Sequence, residues 1–379
     1  MSYHTPPFND FTLSSYDYPL PQSAIAQNPA NPRESAKLLV YERESGRITH
    51  SDFYHFCDFV PKETLIVLNN TKVIKARIYA HKLNPLTQSL SHKKYEIFFH
   101  KALETTNSAE STLFLAQIKG RVKKGDKLII ADSTPLALSS QAFTLPPHST
   151  NTPIVAEVKE CLENGLRIVS FKQENHLFSY EDMLTMLSTY GHIPLPPYIK
   201  RSDSQDDALF YQSVFGTSLG SIAAPTASLH FSEKSIESLR EAFELCFITL
   251  HIGAGTFMNV ESSDIRHHHI HTESYELSAK SAKAIEKANK VLCIGTTSAR
   301  CVEHYMRHKI LKGECDIFLY PSVDFKRVDY LLTNFHLPKS TLLMLVSAMI
   351  GRKKCLELYE IALNRGYRFY SYGDGMLIL

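Results

Sequence analysis

Four short stretches concentrate side chains able to carry protons or hold charge. Val291 to Gly295 reads as a buried strand, and Thr296, Thr297 and Ser298 follow at the start of a helix carrying Arg300. A strand, turn and helix in that order aim backbone N–H groups and hydroxyls at one point, where a carboxylate is stabilised. An ordinary capped helix start has the same signature. Thr333-Asn334-Phe335-His336-Leu337-Pro338 sets an amide and an imidazole two residues apart, on one face of an extended chain. In His267 to Glu273, His268, His271 and Glu273 are candidate metal donors. They lack the i, i+4 spacing of a helical zinc site, no cysteine flanks them, and the stretch reads as a loop entering a strand. Polar active-site or structural histidines are therefore expected, and no metal. Tyr367 to Gly375 gathers three tyrosines, a phenylalanine and Asp374 in a turn that either joins the core or sandwiches a base.

Other chemistries lose support. Gly253-Ala254-Gly255-Thr256 lacks the third glycine of a dinucleotide fingerprint and no helix obviously follows it. No Walker A loop or C-x-x-C pair is present, which removes P-loop nucleotide hydrolysis and dithiol redox chemistry.

The elements that must position these residues alternate between strand and helix. Leu65 to Leu68 is a buried strand, and Ser232 caps a helix reaching about Phe243. Leu245 to Ile252 is a strand, Ser278 to Asn289 a helix, and helices at 341–349 and 356–364 complete the pattern. Ile193 to Ile199, with prolines at 194, 196 and 197, is a rigid extended connector. Between these parts the reading changes. Short β-type runs at 95–99, 112–118, 127–130, 154–158 and 166–171 are separated by turn signals such as Lys124-Gly125-Asp126 and Asn164-Gly165. Strands without intervening helices predict a small antiparallel barrel, with a long loop from Asp132 to Pro153. The expected architecture is a mixed α/β main domain, residues 1–69 and 174–379, with an inserted small antiparallel β-barrel domain at 70–173.

Charge sharpens this division. Twelve Lys and Arg and four acids lie between Asn70 and Ile130, so that segment carries +8 while the rest of the chain carries −6. A basic insert on an acidic body fits a polyanionic partner, although a solvated strand face produces the same asymmetry. At 379 residues and 44% hydrophobic, the chain has ample core. The longest apolar run, Leu342 to Ile350, is interrupted by Ser347, is too short for a bilayer, and reads as a buried helix. No secretory signal is visible at Met1 to Asp10, and seven cysteines without close pairs suit reduced thiols. A soluble cytoplasmic enzyme, with no membrane partner, is the expectation.

Taken in order along the chain, the blocks resemble the S-adenosylmethionine:tRNA ribosyltransferase-isomerase family of queuosine biosynthesis. The resemblance runs through Tyr16 to Pro21, Leu68 to Arg77, Pro194 to Ile199, Ala223 to Phe231, Thr249 to Phe257 and His268 to Glu273. It continues through Gly295 to Arg300, Thr333 to Pro338 and Tyr367 to Asp374. The family usually has arginine where Lys37 and Lys72 stand, and glycine where Ser228 and Ser322 stand. Lysine offers only a point charge where arginine offers a fork.

The resemblance implies that the ribosyl part of S-adenosylmethionine moves to 7-aminomethyl-7-deazaguanine at the wobble position of tRNA. There it is rearranged to an epoxycyclopentanediol, which releases adenine and methionine and leaves epoxyqueuosine. S-adenosylmethionine is then a consumed substrate, and no cofactor is expected. Such chemistry needs a base beside the sulfonium, an acid for departing adenine, and a hold on the methionine carboxylate. Candidate catalytic residues are His230, His251, His271, His336 and Asp374, with His268 a further neutral-pH histidine. Candidates for binding S-adenosylmethionine are Thr226, Gly253, Thr256, Thr296, Thr297, Arg300 and Asn334. Candidates for the tRNA anticodon loop are Lys72, Arg77, Arg121, Lys123 and Lys124, and the protein is expected to be a monomer. Two rivals remain: an ordinary methyltransferase using the same sulfonium, whose glycine-rich loop is not evident, and a non-catalytic tRNA-binding module.

Overall fold

Every residue from Thr64 to Asn69 is buried, so this strand has no solvent face and must lie between neighbours under layers on both sides. In the computed structural model, which describes residues 9–103, 112–131, 152–253, 255 and 260–379, it forms part of a nine-stranded sheet. The order is Lys312–Cys315, Glu273–Leu277, Leu245–Leu250, Thr64–Asn69, Lys290–Ile294, Tyr330–Asn334, Gly375–Ile378, Lys37–Tyr41 and Ile48–Asp52. The strands Leu245–Leu250, Thr64–Asn69, Lys290–Ile294 and Tyr330–Asn334 run parallel. Gly375–Ile378 runs antiparallel to Tyr330–Asn334 and parallel to Lys37–Tyr41.

Alternation along the strands builds two cores. Leu65, Val67, Cys293 and Leu331 face one layer with Ala299 and Val302 of the helix Thr296–His308, and with Leu343, Leu345 and Leu358 of the helices Thr341–Ile350 and Arg352–Asn364. Ile66, Leu68, Leu292 and Leu332 face the other, under Phe53, Phe56, Phe231, Ile236 and Leu239. Each fully buried side chain of this size contributes roughly 1.5–3 kcal/mol. The helix Glu233–Ala242 starts as expected, because the Ser232 hydroxyl accepts from the Ser235 N–H at 3.3 Å and Ser235 reciprocates at 2.7 Å. Thr341–Ile350 is the buried helix read from its apolar run. Among the described residues, no helix is long and apolar enough to cross a membrane.

The chain divides into two compact units, residues up to Val73 with Leu195–Leu379, and Ile74–Pro194. The second unit is a six-stranded antiparallel barrel. Its strands Leu166–Gln173, Leu113–Lys119, Leu90–Leu103, Arg77–Leu83, Lys127–Ile130 and Ile154–Cys161 close when the last pairs with the first. Alternate residues such as Ile78, Ala80, Ile97, Phe114, Ala116 and Phe171 fill its interior. Gly125 takes φ +85 in the expected turn before Lys127. The unit also holds the helix Tyr180–Tyr190, capped reciprocally by Ser179 and Asp182. Neither that helix nor the Arg77–Leu83 strand was read from the sequence. The expected loop 132–153 falls almost wholly outside the described residues. A mixed α/β body and an inserted antiparallel barrel are the architecture anticipated from the sequence.

Candidate active site

The parallel strands end together, and the segments leaving them meet at one cavity of about 460 Å³, within the range of small-molecule sites. Ile252 comes just after Leu245–Leu250, Gly295 and Thr296 come just after Lys290–Ile294, and Asn334 ends its own strand; all line the cavity. The carboxyl edge of an open parallel sheet is where α/β proteins bind ligands. Asn69, at the end of the neighbouring strand, stitches this edge. It donates to the Leu250 carbonyl at 2.9 Å and the Thr297 hydroxyl at 3.3 Å, and accepts from the Leu250 N–H at 3.1 Å.

The helix Thr296–His308 begins at this edge. Gly295 takes φ +88, a left-handed conformation that only glycine adopts without strain, and as the N-cap residue it has no side chain to cap the helix. The first-turn N–H groups and the helix dipole therefore favour an anion beside Thr296 and Thr297. One turn on, Arg300 is buried and pairs with Glu273, while its Nε donates to the Ile317 carbonyl at 3.2 Å. Burial depresses the guanidinium, but Glu273, with smaller contributions from Cys315 and Cys301, offsets it and the pKa is raised. Arg300 thus enters the cavity wall as half of a neutralised pair. Glu273 also accepts from the Gly253 N–H at 3.3 Å, a partnership the sequence did not suggest.

His336 is gripped through its backbone. Its N–H donates to the Tyr359 hydroxyl at 3.1 Å, and Tyr18 donates to its carbonyl. The ring Nε2 lies 2.7 Å from the Thr333 hydroxyl. Burial lowers its pKa to about 3, so the imidazole is neutral. His230 stacks on Phe53 with ring centroids 4.0 Å apart. Asn334 donates to the Tyr370 carbonyl at 2.9 Å, which turns its carbonyl oxygen toward His230 Nε2 at 3.2 Å. His230 therefore carries its proton on Nε2. Burial lowers its pKa to about 3 as well.

Of the residues expected to bind or react, Thr226, His271, Thr296, Thr297, Arg300, Asn334 and His336 line this one cavity. His268 joins them, and burial lowers its pKa. His230 stands one contact behind, through Asn334. Asp374 is buried in a fastening role: it accepts from the Lys37 N–H at 3.0 Å and the Arg368 N–H at 2.7 Å. His251 lies elsewhere. It bonds the Thr71 hydroxyl at 2.7 Å and lines a separate cavity of about 600 Å³ with Asn70, Thr249 and Glu276. Period two along the strand explains this, because 249 and 251 share one face while Ile252 turns to the other. Thr256 lies outside the described residues. Gly216-Thr217-Ser218-Leu219-Gly220 spells a G-x-S-x-G sequence, but Ser218 opens a strand instead of a strand-to-helix elbow, and its hydroxyl meets Thr249 at 3.5 Å.

Among the described residues, no group of three or more His, Cys, Asp or Glu is placed to hold a metal ion. Lys72 is exposed on the strand Thr71–Val73 of the first unit. In the barrel unit Arg77 pairs with Glu96 at 3.5 Å, and Arg121, Lys123 and Lys124 are exposed around the Gly125 turn. The departures from the family also have distinct outcomes. Ser322 adopts φ +87, where glycine is at ease. The buried Ser228 hydroxyl has no hydrogen-bond partner among the described residues.

The cavity is also lined by Tyr198 and Thr333, not named as site candidates from the sequence, and by Tyr370 and Ser371 of the aromatic turn read as core or base sandwich. The signal for Asn69 was present: a polar residue closing a wholly apolar buried strand. A family model described as a queuosine biosynthesis protein matches residues 13–378. The chain belongs to that family. It is 69% identical, over the full length of both chains, to an S-adenosylmethionine:tRNA ribosyltransferase-isomerase of Helicobacter hepaticus. It is 49% identical to one of Helicobacter acinonychis, over 98% of this chain and 99% of that one. A solved S-adenosylmethionine tRNA ribosyltransferase of Thermotoga maritima is 28% identical, covering 98% of this chain and 100% of its own, with a TM-score of 0.48.

Proposed function

We propose that this member of the queuosine family is an S-adenosylmethionine:tRNA ribosyltransferase-isomerase. In this reading it moves the ribosyl moiety of S-adenosylmethionine onto 7-aminomethyl-7-deazaguanine at the tRNA wobble position and isomerises it to epoxyqueuosine. Adenine and methionine leave. The observation that carries the reading is the convergence of seven anticipated side chains, from Thr226 to His336, on one cavity at the carboxyl edge of the sheet.

The parts then take roles by their chemistry. The open helix start at Thr296 and Thr297 holds the methionine carboxylate, backed by the neutralised Arg300–Glu273 pair. His336 is neutral and fixed at both backbone ends, so it is the best-placed group to take the acidic proton beside the sulfonium. The Thr333 hydroxyl, itself 3.4 Å from the Asn334 carbonyl, orients the ring so that Nε2 donates and Nδ1 keeps its lone pair. His271 is the candidate acid toward adenine. The exposed cations of the barrel rim take the anticodon-loop phosphates, where a single-stranded base is splayed out without opening a duplex. The protein works as a cytoplasmic monomer and needs no metal or prosthetic group.

Purified protein incubated with S-adenosylmethionine and tRNA carrying 7-aminomethyl-7-deazaguanine should release adenine and methionine. S-adenosylhomocysteine would make it a methyltransferase instead, and no product at all would leave a binding module; either result overturns the proposal.

A further inference from the structure

Tyr370 occupies a backbone conformation that a bulky residue rarely adopts. Its φ is +71, in the left-handed region where an L side chain costs roughly 1–2 kcal/mol and where glycine would be free. The surroundings hold it there. The Tyr370 N–H donates to the Phe335 carbonyl at 3.1 Å, and its own carbonyl accepts from the Gly373 N–H at 3.0 Å and the Asn334 side chain at 2.9 Å. Strain kept at a ligand cavity in this way points to what the side chain does there.

The side chain is an aromatic face. Tyr370 and Tyr198 both line the cavity, with ring centroids 4.5 Å apart and planes tilted by 43°. Tyr198 follows Pro196 and Pro197, and its hydroxyl lies 2.6 Å from the Ser371 hydroxyl, so its ring is held in place, while Tyr370 is held through its backbone. Burial pushes the Tyr198 phenol up to about 12 and raises Tyr370 as well, so both stay neutral. Two neutral aromatic rings set at an angle in the cavity wall offer apolar π surface, which suits a planar π-system and neither a carboxylate nor a ribose. Within S-adenosylmethionine only the adenine is such a group. Tyr370 is only 5% exposed, which suits a small molecule enclosed by the cavity.

We infer that the Tyr198–Tyr370 wall is the slot against which the adenine of S-adenosylmethionine stacks, and that Tyr370 keeps its strained backbone to present that face. The inference rests on the proposed function and adds to it the residues that recognise the leaving group. The slot is separate from the helix start that takes the carboxylate, so the two ends of the substrate can be perturbed one at a time.

Binding of 5′-methylthioadenosine, of methionine and of free 7-aminomethyl-7-deazaguanine is measured by calorimetry, on protein with tRNA present. Loss of one stacked base should weaken 5′-methylthioadenosine about tenfold in Tyr370→Ala. Tyr370→Phe should stay within about twofold, and methionine affinity should not move. Tyr370→Leu keeps apolar bulk without the π face and should behave as the alanine variant does, which covers the case in which alanine unfolds the turn. Undiminished 5′-methylthioadenosine affinity in both variants removes the slot while the functional reading stands. A loss confined to 7-aminomethyl-7-deazaguanine would also remove it, by assigning the wall to the tRNA base. Wild-type protein that binds neither S-adenosylmethionine nor 5′-methylthioadenosine brings down the functional reading itself, and the slot with it.

Discussion

Arg300 lies buried against Glu273 at the sheet edge, whereas Arg121, Lys123 and Lys124 stand in solvent around the barrel's Gly125 turn. The acid nearest to those cations is already committed. Asp126 is buried, bonded to Lys82 at 2.5 Å and to the Lys123 N–H at 2.8 Å. At the sheet edge the charge is hidden in a pair, beside the neutral imidazoles of His230 and His336 and the N–H groups of a helix start. Among the described residues, no ion pair neutralises Arg121, Lys123 or Lys124. Preorganised dipoles in a closed site act at short range and resist salt, while exposed cations act over a Debye length of about 8–10 Å and yield to it. The first environment suits a chemical step and the second suits polyanion docking, as proposed above.

The sharpest way to break this contrast is to unbalance the buried pair. Glu273→Ala leaves a buried guanidinium without its partner and should cost about 3–5 kcal/mol of unfolding free energy, read by denaturant titration. A loss under 1 kcal/mol would mean that water reaches the pair and that the cavity wall is not dry. Next in size, His336→Ala should cut turnover by about 10²-fold or more with a modest change in melting temperature. His251→Ala should do far less, since His251 lines a different cavity; equal losses in the two variants would dissolve the distinction between the cavities.

Acidity separates the regions as well. His230 and His336 have pKa values lowered to about 3 by burial, below the unfolded value of about 6.5. The unfolded chain then binds more protons than the folded one, so stability is complete above pH 6.5 and declines as pH falls from 6.5 toward 3. His336→Gln should flatten part of that decline in pH-dependent melting. Replacing Arg121, Lys123 and Lys124 removes neither buried histidine and should leave the profile alone.

The Arg121, Lys123 and Lys124 triple alanine variant should raise KM for tRNA and lower its log–log salt slope by roughly one per lost phosphate contact. KM for S-adenosylmethionine should stay put. An unchanged salt slope would show that the rim is only a solvated face. The smallest effect is expected at Ser322→Gly, which relieves φ +87 and should gain about 0.5–1 kcal/mol in thermal unfolding without touching activity.

Much of this plan is legible in residue order. The apolar run Leu65 to Leu68, the Ser232 and Ser278 caps and the Gly295-Thr296-Thr297 turn each carry a local rule, and local rules survive folding. What stays hidden is long-range partnership. Glu273 reads as a metal candidate beside His271 until the antiparallel strand Glu273–Leu277 brings it to Arg300. His251 and His336 look alike in sequence, each in a loop framed by glycine or proline, and only strand alternation separates their cavities. The strands Lys37–Tyr41 and Gly375–Ile378 went unread, and their pairing with each other spans more than 300 positions, beyond any periodicity.

That last pairing bears on how the protein is made. Gly375–Ile378 sits between Tyr330–Asn334 and Lys37–Tyr41, and Asn334, which lines the cavity, pairs in register with Gly375. A ribosome must therefore deliver residue 378 before Lys37–Tyr41 and Ile48–Asp52, among the earliest strands translated, join the rest of the sheet. The barrel residues 74–194 are contiguous and have all emerged long before that moment. Nascent chains thus present basic barrels well ahead of any completed pocket. A product stopped short of residue 375 would carry the barrel's charge with the cavity unfinished and, if the barrel docks tRNA as proposed, would compete for it without modifying it.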